Sequence, residues 1–168
     1  IGNANYTFNA LKEELQKIGA TINFFSTGDY FGLNIKGFDK NFQKTITMAG
    51  DFLGTMKVRK EDEKKLKKLI QSSTLERKFE ARDASIKGNA LREFALWGQN
   101  SSFLTRATTN EVKKMDSDFL MERITNAMNH ETTVFYTGTK EVSEVKSLVS
   151  KHLIIKNDLT PSSSPVVY

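Results

Sequence analysis

One stretch of this chain alternates strictly in polarity, and almost nothing else does. In Tyr30–Gly37 the apolar Phe31, Leu33 and Ile35 take turns with Gly32, Asn34 and Lys36, the period-two pattern of a strand with one wet face. Ala20–Ser26 precedes it across Thr27, Gly28 and Asp29, so the two segments are expected to form a hairpin. Elsewhere the apolar residues recur every three or four positions. A mainly helical chain that must house a hairpin belongs to the α+β class, with a mostly antiparallel sheet packed on one side by several helices.

The helical segments carry their own punctuation. Thr7 is placed to cap a helix bearing Phe8, Leu11, Leu15 and Ile18, and Gly19 to end it in a left-handed conformation. Asp39 is expected to cap a second helix with Phe42, Ile46, Ala49 and Leu53 on one stripe, ending at Gly54. A long helix from about Lys60 to Phe79 opens on Glu61, Asp62 and Glu63, where the helix dipole favours acids. Its inner side is read as Leu66, Leu69, Ile70 and Ser73. Asp83 or Ser85 starts the next, with Ile86, Ala90, Leu91 and Phe94 expected inward and Trp97-Gly98 at its close. Thr108 and Glu111 have capping-box spacing, and Asp116 or Ser117 caps a helix with Leu120, Ile124, Ala127 and Met128 inward.

Thr132–Thr137, with Val134, Phe135 and Tyr136, reads as a buried strand, broken by Gly138 before a last helix carrying Val142, Val145, Leu148 and Val149. Three strands leave a bare edge, so a fourth is expected from the amino-terminal side or from Leu153–Ile155. Beyond Asp158 the residues Thr160, Pro161, Ser162, Ser163, Ser164 and Pro165 cannot build a core. The expected organisation is one domain over 1–158 followed by a linker over 159–168.

Composition narrows the chemistry. The 168 residues fit about one domain. With no cysteine among them, disulfides, thiol nucleophiles and Cys-type zinc sites are removed together. The net charge of +5 is concentrated at Lys57, Arg59, Lys60, Lys64, Lys65, Lys67 and Lys68, interrupted by Glu61, Asp62 and Glu63. That mixture suits a solvated helix face, and it lacks the interleaved aromatics of a nucleic-acid groove, so no nucleic-acid partner is expected. No run is long and apolar enough for a membrane span.

The histidines, His130 and His152, are far apart and form no H-E-x-x-H or H-x-x-E-H. No G-x-S-x-G elbow occurs, and Gly28, Gly32 and Gly37 make no phosphate loop. Glu76 and Glu80 sit four apart among Arg77 and Arg82, a pattern of solvated ion pairs rather than of acid–base work. No catalytic, cofactor-binding or metal-ligating residue is nominated within the chain.

Taken in order, however, the residues resemble a family. Gly2, Tyr6-Thr7, Leu11, Leu15, Gly19-Ala20, Asn23 and Asp29-Tyr30, then Phe94, Trp97-Gly98, Asn100-Ser101, Phe103, Thr109, Glu111-Val112 and Leu120, then Val134, Tyr136 and Gly138, are similar to segments of the insulinase and pitrilysin zinc peptidases, the inverzincins that include the mitochondrial processing peptidases. The resemblance spans roughly Gly2 to Leu153. It implies a ferredoxin-type sandwich of the metallopeptidase kind, lacking the family domain's first strand and helix. It also implies a protein of two halves, each of two similar domains, closing around a peptide chamber.

In that family the active half carries H-x-x-E-H on a helix that would fall upstream of Ile1, and a further glutamate downstream. The matching downstream stretch is Leu69-Ile70-Gln71-Ser72-Ser73, which holds no carboxylate. The resemblance therefore implies a non-catalytic domain, with zinc expected in the catalytic domain of the full protein. Thr160–Pro165 resembles the connection between two domains of one half. The implied partners are sister domains of the same polypeptide and a peptide or unfolded protein, in a bacterial periplasm or cytoplasm, the periplasm being favoured. Lys64, Lys65, Lys67 and Lys68 would face either solvent or the chamber. A second expectation, of another class, is a stand-alone adaptor that captures an extended peptide along a sheet edge.

Overall fold

A computed structural model describes residues 1–27, 30–153 and 159–161. The turn residues Gly28 and Asp29, Ile154 and Ile155 of the expected fourth strand, and the linker from Ser162 onward lie outside the described residues. In chain order the helices are α1 (Phe8–Lys17), α2 (Phe42–Gly54), α3 (Lys60–Glu80), α4 (Ala84–Trp97), α5 (Ser102–Thr105), α6 (Thr109–Lys114), α7 (Ser117–Ala127) and α8 (Val142–His152). The strands are β1 (Thr21–Ser26) and β2 (Phe31–Lys36), and short 3-10 turns cover Asp39–Asn41 and Gly98–Asn100. The class is α+β. The chain divides into two compact units, Ile1–Arg59 with Met121–Tyr168, and Lys60–Leu120.

The first unit is built around the hairpin. The Thr7 hydroxyl accepts the Ala10 N–H at 3.1 Å, which satisfies one of the orphan donors that start α1. The helix turns Leu11 and Leu15 fully inward. Gly19, at φ +69°, reverses the chain where a side chain would be strained, and the Ala20 N–H returns to the Leu15 carbonyl at 2.9 Å. β1 and β2 then pair antiparallel, with Ile22 opposite Ile35 and Phe24 opposite Leu33. The core is Leu11, Leu15, Ala20, Ile22, Ala49 and Phe52, and the Phe8 ring lies 5.2 Å from Phe24 and 5.7 Å from Phe52. On α2 the innermost aromatic is Phe52, at 1% exposure, in place of the expected Leu53. α8 packs on α2 and buries Val145 and Val149.

Three expectations are corrected in this unit. Asp39 does not cap α2: it opens the 3-10 turn before the helix, with no side-chain cap bond there. Its carboxylate is engaged instead by residues near position 137, a distant partner that local sequence does not reveal. Thr132–Thr137 is not a buried strand. It has neither helix nor ladder, and Phe135 is 92% exposed. β-propensity makes a strand only where a partner supplies hydrogen bonds, and among the described residues none does. Among the described residues the sheet consequently has two strands, where three were expected. Val142 at the start of α8 is also exposed, while Leu148 is partly covered.

In the second unit the punctuation holds and the burial does not. Asp83 accepts from the N–H groups of Ser85 and Ile86 at 2.8 and 3.1 Å, capping α4. Thr108 and Glu111 form the reciprocal capping box on α6, and Asp116 accepts the Phe119 N–H at 2.8 Å. Leu66, Ile70 and Ser73 of α3 are partly covered, but Leu69 is exposed. Of the α4 residues expected towards the core, Ile86 and Ala90 are partly covered and Leu91 and Phe94 are exposed. An apolar stripe is buried only when a second layer lies against it, and the described residues of this unit bring none to that face.

Candidate functional site

His152 closes α8. Its Nδ1 lies 3.4 Å from the Thr47 hydroxyl of α2, and its Nε2 is buried without a hydrogen-bond partner among the described residues. The imidazole therefore works as a polar contact where two helices cross. His130 sits at an isolated parallel bridge with Thr160, where the Glu131 N–H reaches the Thr160 carbonyl and the Thr160 N–H the Asn129 carbonyl, both at 2.9 Å. Among the described residues no three His, Cys, Asp or Glu side chains are grouped so as to hold a metal. Leu69–Ser73, where the family resemblance puts a downstream zinc ligand, lies on α3 and offers no carboxylate. These residues do not fit a zinc ion.

The lysines Lys64, Lys65, Lys67 and Lys68 are all exposed on α3, as a solvated helix face would have them. Glu80, at the end of that helix, pairs with Arg106 at 2.8 Å, and Arg77 donates to the Ala107 carbonyl at 2.6 Å. Those contacts hold the chain beside a groove of about 700 Å³ that includes Leu104, Arg106, Lys114 and Phe119. Glu111 lines it too, but its carboxylate is already committed to the Thr108 N–H at 2.6 Å, which holds its carboxyl below the usual range.

The most organised polar cluster was not nominated from sequence. Asp39 accepts from the Tyr136 hydroxyl at 3.2 Å and from the Thr139 N–H at 2.9 Å, and the Thr139 hydroxyl donates to the same carboxylate. The Lys140 N–H donates to the Tyr136 oxygen at 3.2 Å, and the Phe42 and Tyr136 ring centroids lie 5.4 Å apart, edge to face. This clasp ties the 131–140 segment to the turn between β2 and α2. Beside it is a cavity of about 350 Å³ whose lining includes Ile35, Gly37, Phe38 and Phe135 to Thr137. Only the pairing of an acidic residue near Phe38 with a Tyr-x-x-Thr run about a hundred positions on could have signalled it, and nothing in a single sequence links the two.

Hydrogen bonds from the Thr139 side chain and then its backbone, with Tyr136 contributing and Lys140 nearby, hold the Asp39 carboxyl below its ordinary value. A depressed folded-state pKa adds stability that is present above the unfolded value and lost as pH falls through the folded one. Asp39→Asn is therefore expected to melt lower than the native chain at neutral pH, with the gap narrowing below the ordinary carboxylate range. Thermal melts across that range check this. A gap independent of pH would contradict it.

Among the described residues no helix is long and apolar enough to cross a membrane. Compared with known proteins, the chain matches no protein-family model and no curated protein.

Proposed function

We propose that this chain is a non-catalytic domain of an insulinase- and pitrilysin-like zinc metallopeptidase. In this reading it closes the peptide chamber and supports hydrolysis performed by another domain of the same polypeptide. The observation that carries it is the order of the resembling segments together with what those residues do in the fold. Thr7 caps α1, Leu11 and Leu15 anchor the core, Gly19 turns the chain at positive φ, and Asn23 sits on the hairpin. They are structural residues, so a chain could keep them while giving up catalysis. α3 carries no carboxylate at Leu69–Ser73, which supports the inactive form of the domain.

The finer architecture, a ferredoxin-type sandwich short of its first strand and helix, belongs to the same proposal. The partners proposed with it are sister domains and a peptide or unfolded protein, with zinc held by the catalytic domain. The test is hydrolysis by this chain alone: an unstructured fluorogenic peptide incubated with it and added zinc should remain intact. Cleavage abolished by a chelator would overturn the reading.

A further inference from the structure

At 21 residues, α3 is the longest of the helices, and its charges are sorted around its axis. With about 3.6 residues per turn, Lys60, Lys64, Lys67, Lys68, Gln71 and Lys78 fall within one sector of about 100° and extend for about 27 Å along the helix. All six are exposed. None of the five lysine side chains makes an ion pair or a hydrogen bond among the described residues. The acids of α3 lie off this sector. Glu61 and Glu63 stand at its two margins in the first turn, where the dipole favours them, and Asp62, Glu76 and Glu80 take the opposite side, Glu80 paired with Arg106.

The same sector turns apolar towards its carboxyl-terminal end. Leu75 lies among the lysines at 53% exposure, and Phe79, one turn later and just past the margin, is 67% exposed. The groove of this unit is lined by residues 104–119 and by none from α3. The face is therefore a convex ridge with cations along it and two apolar side chains at one end. A ridge encloses no peptide, and ordering one on solvated ammonium groups costs entropy that exposed ion pairs do not offset. Lysine also lacks the rigid fork with which arginine fixes phosphate in one geometry. The ridge suits a surface whose anionic groups move to meet the charges and whose interior accepts Leu75 and Phe79.

We propose that the Lys60–Lys78 face of α3 lies on bilayers rich in anionic phospholipid, with its ammonium groups at the headgroups and Leu75 and Phe79 in the boundary beneath them. The helix rests on the bilayer and is too polar to cross it. Each lysine close to the surface strengthens binding about fivefold, and the attraction fades beyond a Debye length of about 8 Å at physiological salt. Duplex nucleic acid would engage the same lysines but leave Leu75 and Phe79 without a role. Attachment of this kind needs neither zinc nor a peptide chamber, so its failure leaves the hydrolysis result standing.

Co-sedimentation of the 168-residue chain with vesicles tests this. Vesicles of mixed phosphatidylglycerol and phosphatidylcholine should bind the chain, and vesicles of phosphatidylcholine alone should not. Lys64→Gln with Lys67→Gln should weaken binding about 25-fold, and about 0.5 M salt should abolish it. Lys87→Gln with Lys113→Gln removes the same charge from exposed positions on α4 and α6 and should change binding by less than about twofold. Leu75→Ser with Phe79→Ser should weaken it at least about fivefold. Every substitution is at an exposed position, and an unchanged circular dichroism spectrum checks that the fold is kept. Equal losses from the two lysine pairs would reduce the effect to net charge and overturn the proposal. No binding, or equal binding to both kinds of vesicle, would overturn it as well. So would duplex DNA held more tightly than the anionic vesicles, with vesicle binding indifferent to Leu75 and Phe79, which would assign the face to a soluble polyanion.

Discussion

Phe52→Ala is expected to destabilise the first unit by about 3–5 kcal/mol, the usual range for emptying a buried aromatic site. The side chain is almost completely covered and sits in the cluster with Leu11, Leu15 and Ile22, its ring near Phe8. Part of the cost is lost transfer free energy, and the rest comes from a cavity that a helix, a hairpin and Phe8 cannot close without giving up their own contacts. A loss of that size is a large share of a typical domain's net stability. Leu91→Ala on α4, where the side chain is 71% exposed, should stay within about 0.5 kcal/mol. The choice of probe matters, because the one tryptophan, Trp97, lies in the second unit. Denaturant-dependent hydrogen exchange at Leu11, Leu15 and Ile22 reads the right region. Equal losses for the two variants would show that the core is wrongly placed.

The second large effect is a glycine whose absent side chain makes room for a helix crossing. A Cβ on Gly50 would fall inside van der Waals contact of the His152 carbonyl oxygen and 2.7 Å from its carbon. The obstacle is backbone, so no rotamer change relieves it and α8 must move off α2. Helix propensity acts the other way, since replacing a mid-helix glycine gains up to about 1 kcal/mol for alanine and less for a β-branched residue. Overpacking typically costs about 1–3 kcal/mol and more when backbone is displaced, so the clash wins. Gly50→Val is expected to lose about 2–3 kcal/mol and to expose Val145 and Val149, which α8 buries. Gly88 of α4 is the control: a Cβ there meets nothing within 4 Å, and Gly88→Ala should gain about 0.5–1 kcal/mol. Urea unfolding followed by circular dichroism checks both signs. Destabilisation by both would mean that propensity and crossing have been misjudged together.

Thr7, Gly19, Asp83 and the Thr108–Glu111 box could be read from the sequence because a cap or a left-handed turn is decided within four residues of itself. The alternation of Phe31, Leu33 and Ile35 was legible for the same reason, and it gave the hairpin and its class. What failed depends on distant neighbours. Asp39 looks like a cap until Tyr136 and Thr139 arrive beside it. Thr132–Thr137 has the composition of a strand, but its pairing needs an edge that only the folded chain can offer or withhold. Leu91 and Phe94 have helical spacing that says which face is apolar, not whether anything covers it. Asp39 with Tyr136 and Thr139 was therefore invisible as a cluster.

The central claim is that this polypeptide contributes a wall, and that the bond-breaking ion belongs to another domain of the full protein. Equilibrium dialysis of the 168-residue chain against buffered zinc, followed by elemental analysis, tests this most directly. The account predicts retained zinc far below one ion per chain after exchange into metal-free buffer. One tightly held ion per chain, released by substituting His130 or His152, would contradict it.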